Sequence, residues 1–144
     1  MSLAAPFGST TPWAEPTWYT GRPSPYYNAS HVALRNYLRA WVDANFASSS
    51  EEWEAAGAVP PELYQKCAEA GLLVPIASGK SIPRDRARHG AIIAGIQAED
   101  WDGFHDFILW DELTRGGNIA NLFIGLVVGA PPLRYFGSEW LKNK

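Results

Sequence analysis

The stretch DGFHDFILWDELTRGGNIANLFIGLVVGAPP, residues 102–132, decides the fold. Asp102 is a natural N-cap, because a short acceptor side chain can take up the free backbone N–H groups of a helix's first turn. The spacing predicts a helix from Phe104 to Arg115, ended by Gly116-Gly117. Phe104, Phe107 and Ile108 form one apolar stripe and Leu109 and Leu113 another, so this helix is expected between neighbours. A second helix follows Asn118 and is apolar all round at Leu122, Phe123, Ile124, Leu126, Val127 and Val128, with a turn expected at Pro131-Pro132. Two adjacent helices with so little polar surface bury each other, which points to an all-α helical bundle.

Upstream, Ser30 reads as the cap of a helix with Leu34, Tyr37, Leu38 and Trp41 on one face. Arg35, Arg39 and Asp43 fall on the other, and Arg39 and Asp43 are placed to pair at i,i+4. Ser48 to Ser50 end it, and Glu51, Glu52 and Glu54 carry Trp53 towards the next start. Pro60-Pro61 opens a short helix, Glu62 to Ala70, with Leu63, Tyr64 and Cys67 inward and Gly71 at its C-terminus. Between Pro75 and Trp101 the punctuation by Gly79, Pro83, Gly90 and Gly95 predicts mostly loop, with Ala91 to Ile96 as a helical turn or a strand-like run. Residues 1–29 hold five prolines and six aromatics, Phe7, Trp13, Trp18, Tyr19, Tyr26 and Tyr27, without a period. They read as an extended arm, packed either on its own domain or on a neighbour, in front of a helical domain over 30–144.

With 144 residues, 47% of them hydrophobic and 19% charged, the chain suits a single soluble globular domain. A formal charge of −3 provides no broad cationic surface, so nucleic acid is not an expected partner. The single cysteine, Cys67, excludes an intrachain disulfide framework and a cysteine-rich zinc site. Met1 to Pro12 lack the pattern of a secretory signal, which leads us to expect an intracellular protein, in the cytoplasm, mitochondrion or peroxisome. The longest apolar run, Ile119 to Leu133, is broken by Asn121 and the proline pair and falls short of the ~20 residues of a membrane span.

Few residues suggest chemistry. Asp111 places a carboxylate on an apolar stripe, with Glu112 beside it and Arg115 four residues on; a structural Asp111–Arg115 pair outweighs a buried general base. His105-Asp106 has the form of the dyad in HD-type metal-dependent phosphohydrolases, which needs further ligands from other helices. Only His31 and His89 are available as additional histidines, and no aspartate follows Asp111. Lys80, Arg84, Arg86, Arg88 and His89 form a local basic cluster that reads as a solvated loop. Gly125 and Gly129 each cost roughly 1 kcal/mol in a helix, which either close helix packing or a shallow channel for a slender apolar ligand must offset.

Two stretches carry a family likeness. VPPELYQKCAEAGLLVP, Val59 to Pro75, resembles the N-terminal domain of the acyl-CoA dehydrogenases, in which a proline-started helix ends in a Gly-Leu-Leu turn. FHDFILWDELTRGGNIANLFIGLVVGAPPLRYFGSE, Phe104 to Glu139, is similar to the central helix pair of that family, and SPYYNASH, Ser24 to His31, to its fungal branch. The likeness runs from about Trp18 onward. One departure is that Ala77-Ser78-Gly79 and the basic stretch stand where the family has a Pro-x-x-x-Gly-Gly loop.

The resemblance implies an FAD-dependent α,β-dehydrogenation of acyl-CoA thioesters, in which a carboxylate takes the α-proton and the flavin takes the β-hydrogen as hydride. It also implies that most flavin contacts and the catalytic glutamate belong to a middle β-barrel and a C-terminal helical domain beyond Lys144. No catalytic residue is therefore assigned within this chain, and it is expected to be inactive alone and homo-oligomeric. What the family assigns to these positions is a wall of the acyl pocket, at Ala120, Asn121, Ile124, Gly125 and Val128. The alternative of another class is a non-catalytic helical module of the same descent that binds acyl groups or a protein.

Overall fold

A computed structural model describes residues 7–78, 91–117 and 122–142. Helix α1 spans Ala29–Val42 and winds on as a π-helix over Asp43–Ala47. Next come α2 (Ser50–Ala56), α3 (Pro61–Glu69) and α4 (Leu73–Ser78). A small hairpin pairs β1 (Ala91–Ile93) antiparallel with β2 (Ile96–Gln97), and α5 follows over Gly103–Arg115. Beyond it a π-helix, Phe123–Gly129, runs directly into α6 (Ala130–Phe136), and α7 covers Glu139–Lys142. The all-α architecture expected from the sequence is what the chain adopts, with the hairpin as a minor addition.

The centre is the pairing of α1 with α5. Leu34, Leu38 and Val42 from α1 meet Ile108, Leu109 and Leu113 from α5, and all six are at most 1% exposed. Each such side chain contributes about 1.5–3 kcal/mol by leaving water, so this seam is the main source of stability. Phe46, Leu63, Cys67, Leu72, Ile76, Trp101 and Leu122 extend the same core. Phe107, expected on an inward stripe, is instead 55% exposed, and so is Tyr64 of α3 at 40%.

The caps follow local chemistry. Asn28, rather than Ser30, caps α1: its Oδ1 accepts from Ser30 N at 2.9 Å and from His31 N at 3.4 Å. Asn is as good a cap as Ser, and the earlier position lets His31 occupy the third helical residue and complete a capping box. Asp102 caps α5 as expected, accepting from Phe104 N and His105 N, and again a histidine, His105, completes the box. Gly71 closes α3 with φ +77°, and a Cβ there would run into Ile92 O of the hairpin. The hairpin's two turn residues, Ala94 (φ 52°) and Gly95 (φ 78°), are both left-handed, as a two-residue hairpin turn requires.

Pro131-Pro132 does not end the apolar helix as the sequence reading has it. Both prolines lie in the first turn of α6, where a missing N–H is tolerated. Their rings and absent donors forbid ordinary i→i−4 bonds to Val127 and Val128, and the wider winding of Phe123–Gly129 accommodates this without breaking the rod.

Of the N-terminal segment, the part from Phe7 packs on this same domain. Tyr19, in a short helical turn over Thr17–Thr20, is only 4% exposed and reaches α5. Trp18 stacks on Tyr27 at 4.1 Å, and the Arg35 guanidinium sits 3.9 Å above the Phe7 ring. Arg35, placed on the solvent face by its spacing, is thus buried under the arm's aromatics, only 8% exposed.

Candidate functional site

The face that the helical frame presents outward lies on the Phe123–Gly129 segment. Leu122 is buried, and Leu126 and Val127 pack against the core. Ile124 and Val128 are 68% and 58% exposed, and Gly125 and Gly129, each next in sequence to one of them, are exposed too. Ile124, Gly125 and Val128, three of the residues assigned to an acyl wall, therefore share one apolar face. Ala120 and Asn121 lie outside the described residues, as do Lys80, Arg84, Arg86, Arg88 and His89. A Cβ placed on Gly125 would meet nothing within 4 Å, and one on Gly129 only Ile124 O at 3.6 Å. Among the described residues no neighbouring helix comes within 4 Å of a Cβ placed on either glycine.

Beside this face, α4, α5 and the π-helix enclose a cleft of about 210 Å³, lined by Ile76, Ser78, Asp106, Trp110, Val127 and Pro131 among others. Its lining carboxylate is Asp106, whose Oδ1 accepts from the Trp101 indole N–H at 2.7 Å. Further exposed apolar side chains follow on α6 and α7: Leu133 (56%), Phe136 (88%) and Trp140 (65%).

The acidic pair on α5 is arranged differently from the sequence expectation. Glu112, fully buried, is the carboxylate at the centre: Arg39 grips it with Nε at 2.7 Å and Nη2 at 2.7 Å, and Arg115 Nε donates to it at 3.0 Å. Arg39 also holds Glu15 of the arm through two bonds, at 2.8 and 3.0 Å, and Arg115 reaches Asp43 at 2.7 Å. Neither Arg39–Asp43 nor Asp111–Arg115 is therefore the pair formed; partners some 73 residues away displace the i+4 neighbours. Asp111 instead accepts from the Tyr19 hydroxyl at 3.2 Å. Burial raises its carboxyl above the ordinary range, opposed by the Tyr19 bond and reinforced by Glu112. The hydrogen bond from Arg39 lowers that of Glu15 against a smaller effect of burial. This network ties arm, α1 and α5 together.

The His105-Asp106 dyad is divided between two tasks, Asp106 towards Trp101 and His105 towards the helix caps. His31, Asp102 and His105 do converge, with one ligand atom from each within 4.8 Å of the others. The backbone N–H of Asn28 donates to His31 Nδ1 at 3.0 Å, and that of Asp102 to His105 Nδ1 at 3.2 Å. Each Nδ1 also lies at hydrogen-bond distance from the cap's own side-chain oxygen, Asn28 Oδ1 at 3.0 Å and Asp102 Oδ1 at 2.9 Å, while Nε2 faces Asp102 Oδ1 from His31 (3.0 Å) and Ser30 Oγ from His105 (3.0 Å). Every ring nitrogen is already engaged, by the caps, Asp102 or Ser30, and two positive helix N-termini meet at the same point, so the donor set suits a cation poorly.

The comparisons with known proteins agree with this architecture. The family model "Acyl-CoA dehydrogenase, N-terminal domain" matches residues 28–80, from the cap of α1 through α4. The chain is 35% identical over 140 residues to acyl-CoA dehydrogenase apdG of Emericella nidulans, an alignment covering 94% of this chain and 32% of that protein. The chain is thus similar to the N-terminal domain of the acyl-CoA dehydrogenases. Acyl-CoA dehydrogenase AFT10-1 of Alternaria alternata is 30% identical over 141 residues, covering 96% of this chain and again 32% of the relative. The chain thus spans about a third of the length of the acyl-CoA dehydrogenases it matches. No solved structure matches. No helix among the described residues is long and apolar enough to cross a membrane.

Proposed function

We propose that this domain supplies one wall of the acyl pocket in an FAD-dependent α,β-dehydrogenation of acyl-CoA thioesters, and that proton abstraction and hydride transfer rest on groups outside these 144 residues. The observation that carries this reading is the unpartnered apolar face of Ile124, Gly125 and Val128. Glycine at 125 lets a slender alkyl chain approach the backbone, and the flanking branched residues give it apolar contact. Ala120 and Asn121 extend the same proposal by sequence. The chain's own residues would position and desolvate the acyl chain; the flavin, when bound, would accept the hydride. Among the described residues, the carboxylate beside this face, Asp106, is engaged with Trp101, and Glu112 is locked between two arginines. Neither is arranged as a free base.

The test is a chimaera in which these 144 residues replace the matching third of the Emericella nidulans relative, with Val128→Phe and Gly125→Leu introduced. Filling the wall should shift kcat/KM towards shorter acyl thioesters by about tenfold or more, since one methylene in an apolar pocket is worth roughly 10–200-fold. An unchanged chain-length profile in both variants refutes the assignment.

A further inference from the structure

The two capping boxes are sequence-distant copies of one device, Asn28-Ala-Ser-His31 on α1 and Asp102-Gly-Phe-His105 on α5, and the fold sets them face to face. The rings of His31 and His105 stack with centroids 3.8 Å apart and planes at 24°, and both residues are 0% exposed. A single carboxylate, Asp102, serves both of them, at 3.0 Å and 2.9 Å. The ring nitrogens are fully occupied: each Nδ1 lies between a backbone N–H and a cap oxygen, each Nε2 faces Asp102 Oδ1 or Ser30 Oγ, and Ser30 Oγ passes its own proton to Asn28 Oδ1 at 2.6 Å.

We propose that this junction is an acid-sensitive joint, in which proton uptake by the His31–His105 pair parts the N-termini of α1 and α5 and frees the aromatic segment Trp18–Tyr27 that leans on them. A ring that carries both protons has no lone pair left at Nδ1, which then ceases to accept the cap's backbone N–H and can only donate to the cap oxygen. The first such proton is compensated by Asp102. The second finds no further carboxylate in contact, a cation stacked at 3.8 Å, and two positive helix ends. The surroundings offer little relief. From α5 the next carboxylate is Asp106, held by the Trp101 indole, and the Trp101 ring itself stacks on His105 at 5.2 Å. Glu99 and Asp100 of the preceding turn are exposed. From the arm, the Tyr27 ring meets His31 edge-on at 5.5 Å, and Phe104 closes the group. Burial, followed by the charge of His31, holds the His105 imidazole below its ordinary range, while Asp102 works against them. The closed joint thus disfavours a second proton on the stacked pair, which an open one accepts.

Opening should release Tyr27 and Phe104, which pack edge-to-face at 5.1 Å, and with them the Trp18–Tyr27 stack. The experiment is amide hydrogen exchange, expressed as protection factors for residues 29–31 and 103–106 of the 144-residue chain, together with imidazole resonances, between pH 8 and 4.5. In the wild type the open fraction should rise about tenfold per pH unit for each proton taken up below about 6.5. His105→Gln and His31→Gln both keep the capping box, since Gln is a good third-position residue, and leave one histidine to Asp102 alone. Each should flatten the dependence by at least one proton. The proposal is overturned if either variant keeps the wild-type slope, or if both rings of the wild type titrate together near pH 6.5 with protection unchanged. Loss of the fold in both variants at pH 8 also overturns it, because the histidines would then be braces at every pH.

Discussion

Replacing Arg39 by methionine isolates the interaction that holds the arm, α1 and α5 together. Glu112 has no exposed surface, and Arg39 supplies two of its shortest contacts, both 2.7 Å. Methionine fills a similar volume but leaves the carboxylate with Arg115 at 3.0 Å and a long Tyr19 contact of 3.3 Å. Stranding one partner of a buried ion pair costs about 3–5 kcal/mol. For a chain of this size each kcal/mol lowers Tm by about 3 °C, so Arg39→Met should melt roughly 10–15 °C early. The double variant Arg39→Met/Glu112→Met removes both charges and should recover part of that loss, because apolar residues of like volume replace a buried pair at little cost while Glu15 still loses its two bonds from Arg39. Thermal and urea unfolding of wild type, both single variants and the double variant close the cycle. A loss below about 1 kcal/mol for Arg39→Met, or a double variant equal to the sum of the singles, refutes the reasoning.

Three further outcomes are expected. Asp111→Asn should raise Tm by about 1–3 °C at pH 7 and bring no gain near pH 3: the folded carboxyl titrates above its unfolded value, so its contribution is present below pH ~4 and lost as pH rises; melting curves at both pH values check this. Cys67, fully buried with its thiol pushed up to about 11 by burial, should resist thiol reagents at pH 8 in the native state and react within seconds to minutes once the chain is unfolded in denaturant. Gly71→Ala places a Cβ at φ +77° against Ile92 O and should cost about 1–3 kcal/mol in urea unfolding, whereas Gly95→Ala, with open space around it, should cost about 1 kcal/mol.

Helix α5 was legible because its signals are local: a capping aspartate, an apolar run and a glycine pair lie within sixteen residues. The same holds for α3, framed by Pro61 and Gly71. The start of α1 shifted from Ser30 to Asn28 because both are good caps and only the histidine at the third helical position distinguishes them. The hairpin was ambiguous because Ala94-Gly95 lacks the asparagine or aspartate that usually marks such a turn. The fate of Arg39 was hidden for a different reason, since spacing proposes the neighbour four residues on while the fold delivers Glu112 from another helix. For the acyl-wall face, periodicity indicated a stripe; its exposure depended on which sides of the Phe123–Gly129 helix the core covers, which no local pattern states.

The most direct test of the account is the absorbance of the purified 144-residue chain after incubation with FAD and removal of free ligand, followed by dye reduction with acyl-CoAs of graded length. The account predicts a colourless protein that reduces no dye, because the proposed function assigns flavin binding and α-proton abstraction to groups outside these residues. A chain that retains flavin and turns over acyl-CoA would contradict it and would make Asp106 and Asp111 the first carboxylates to replace.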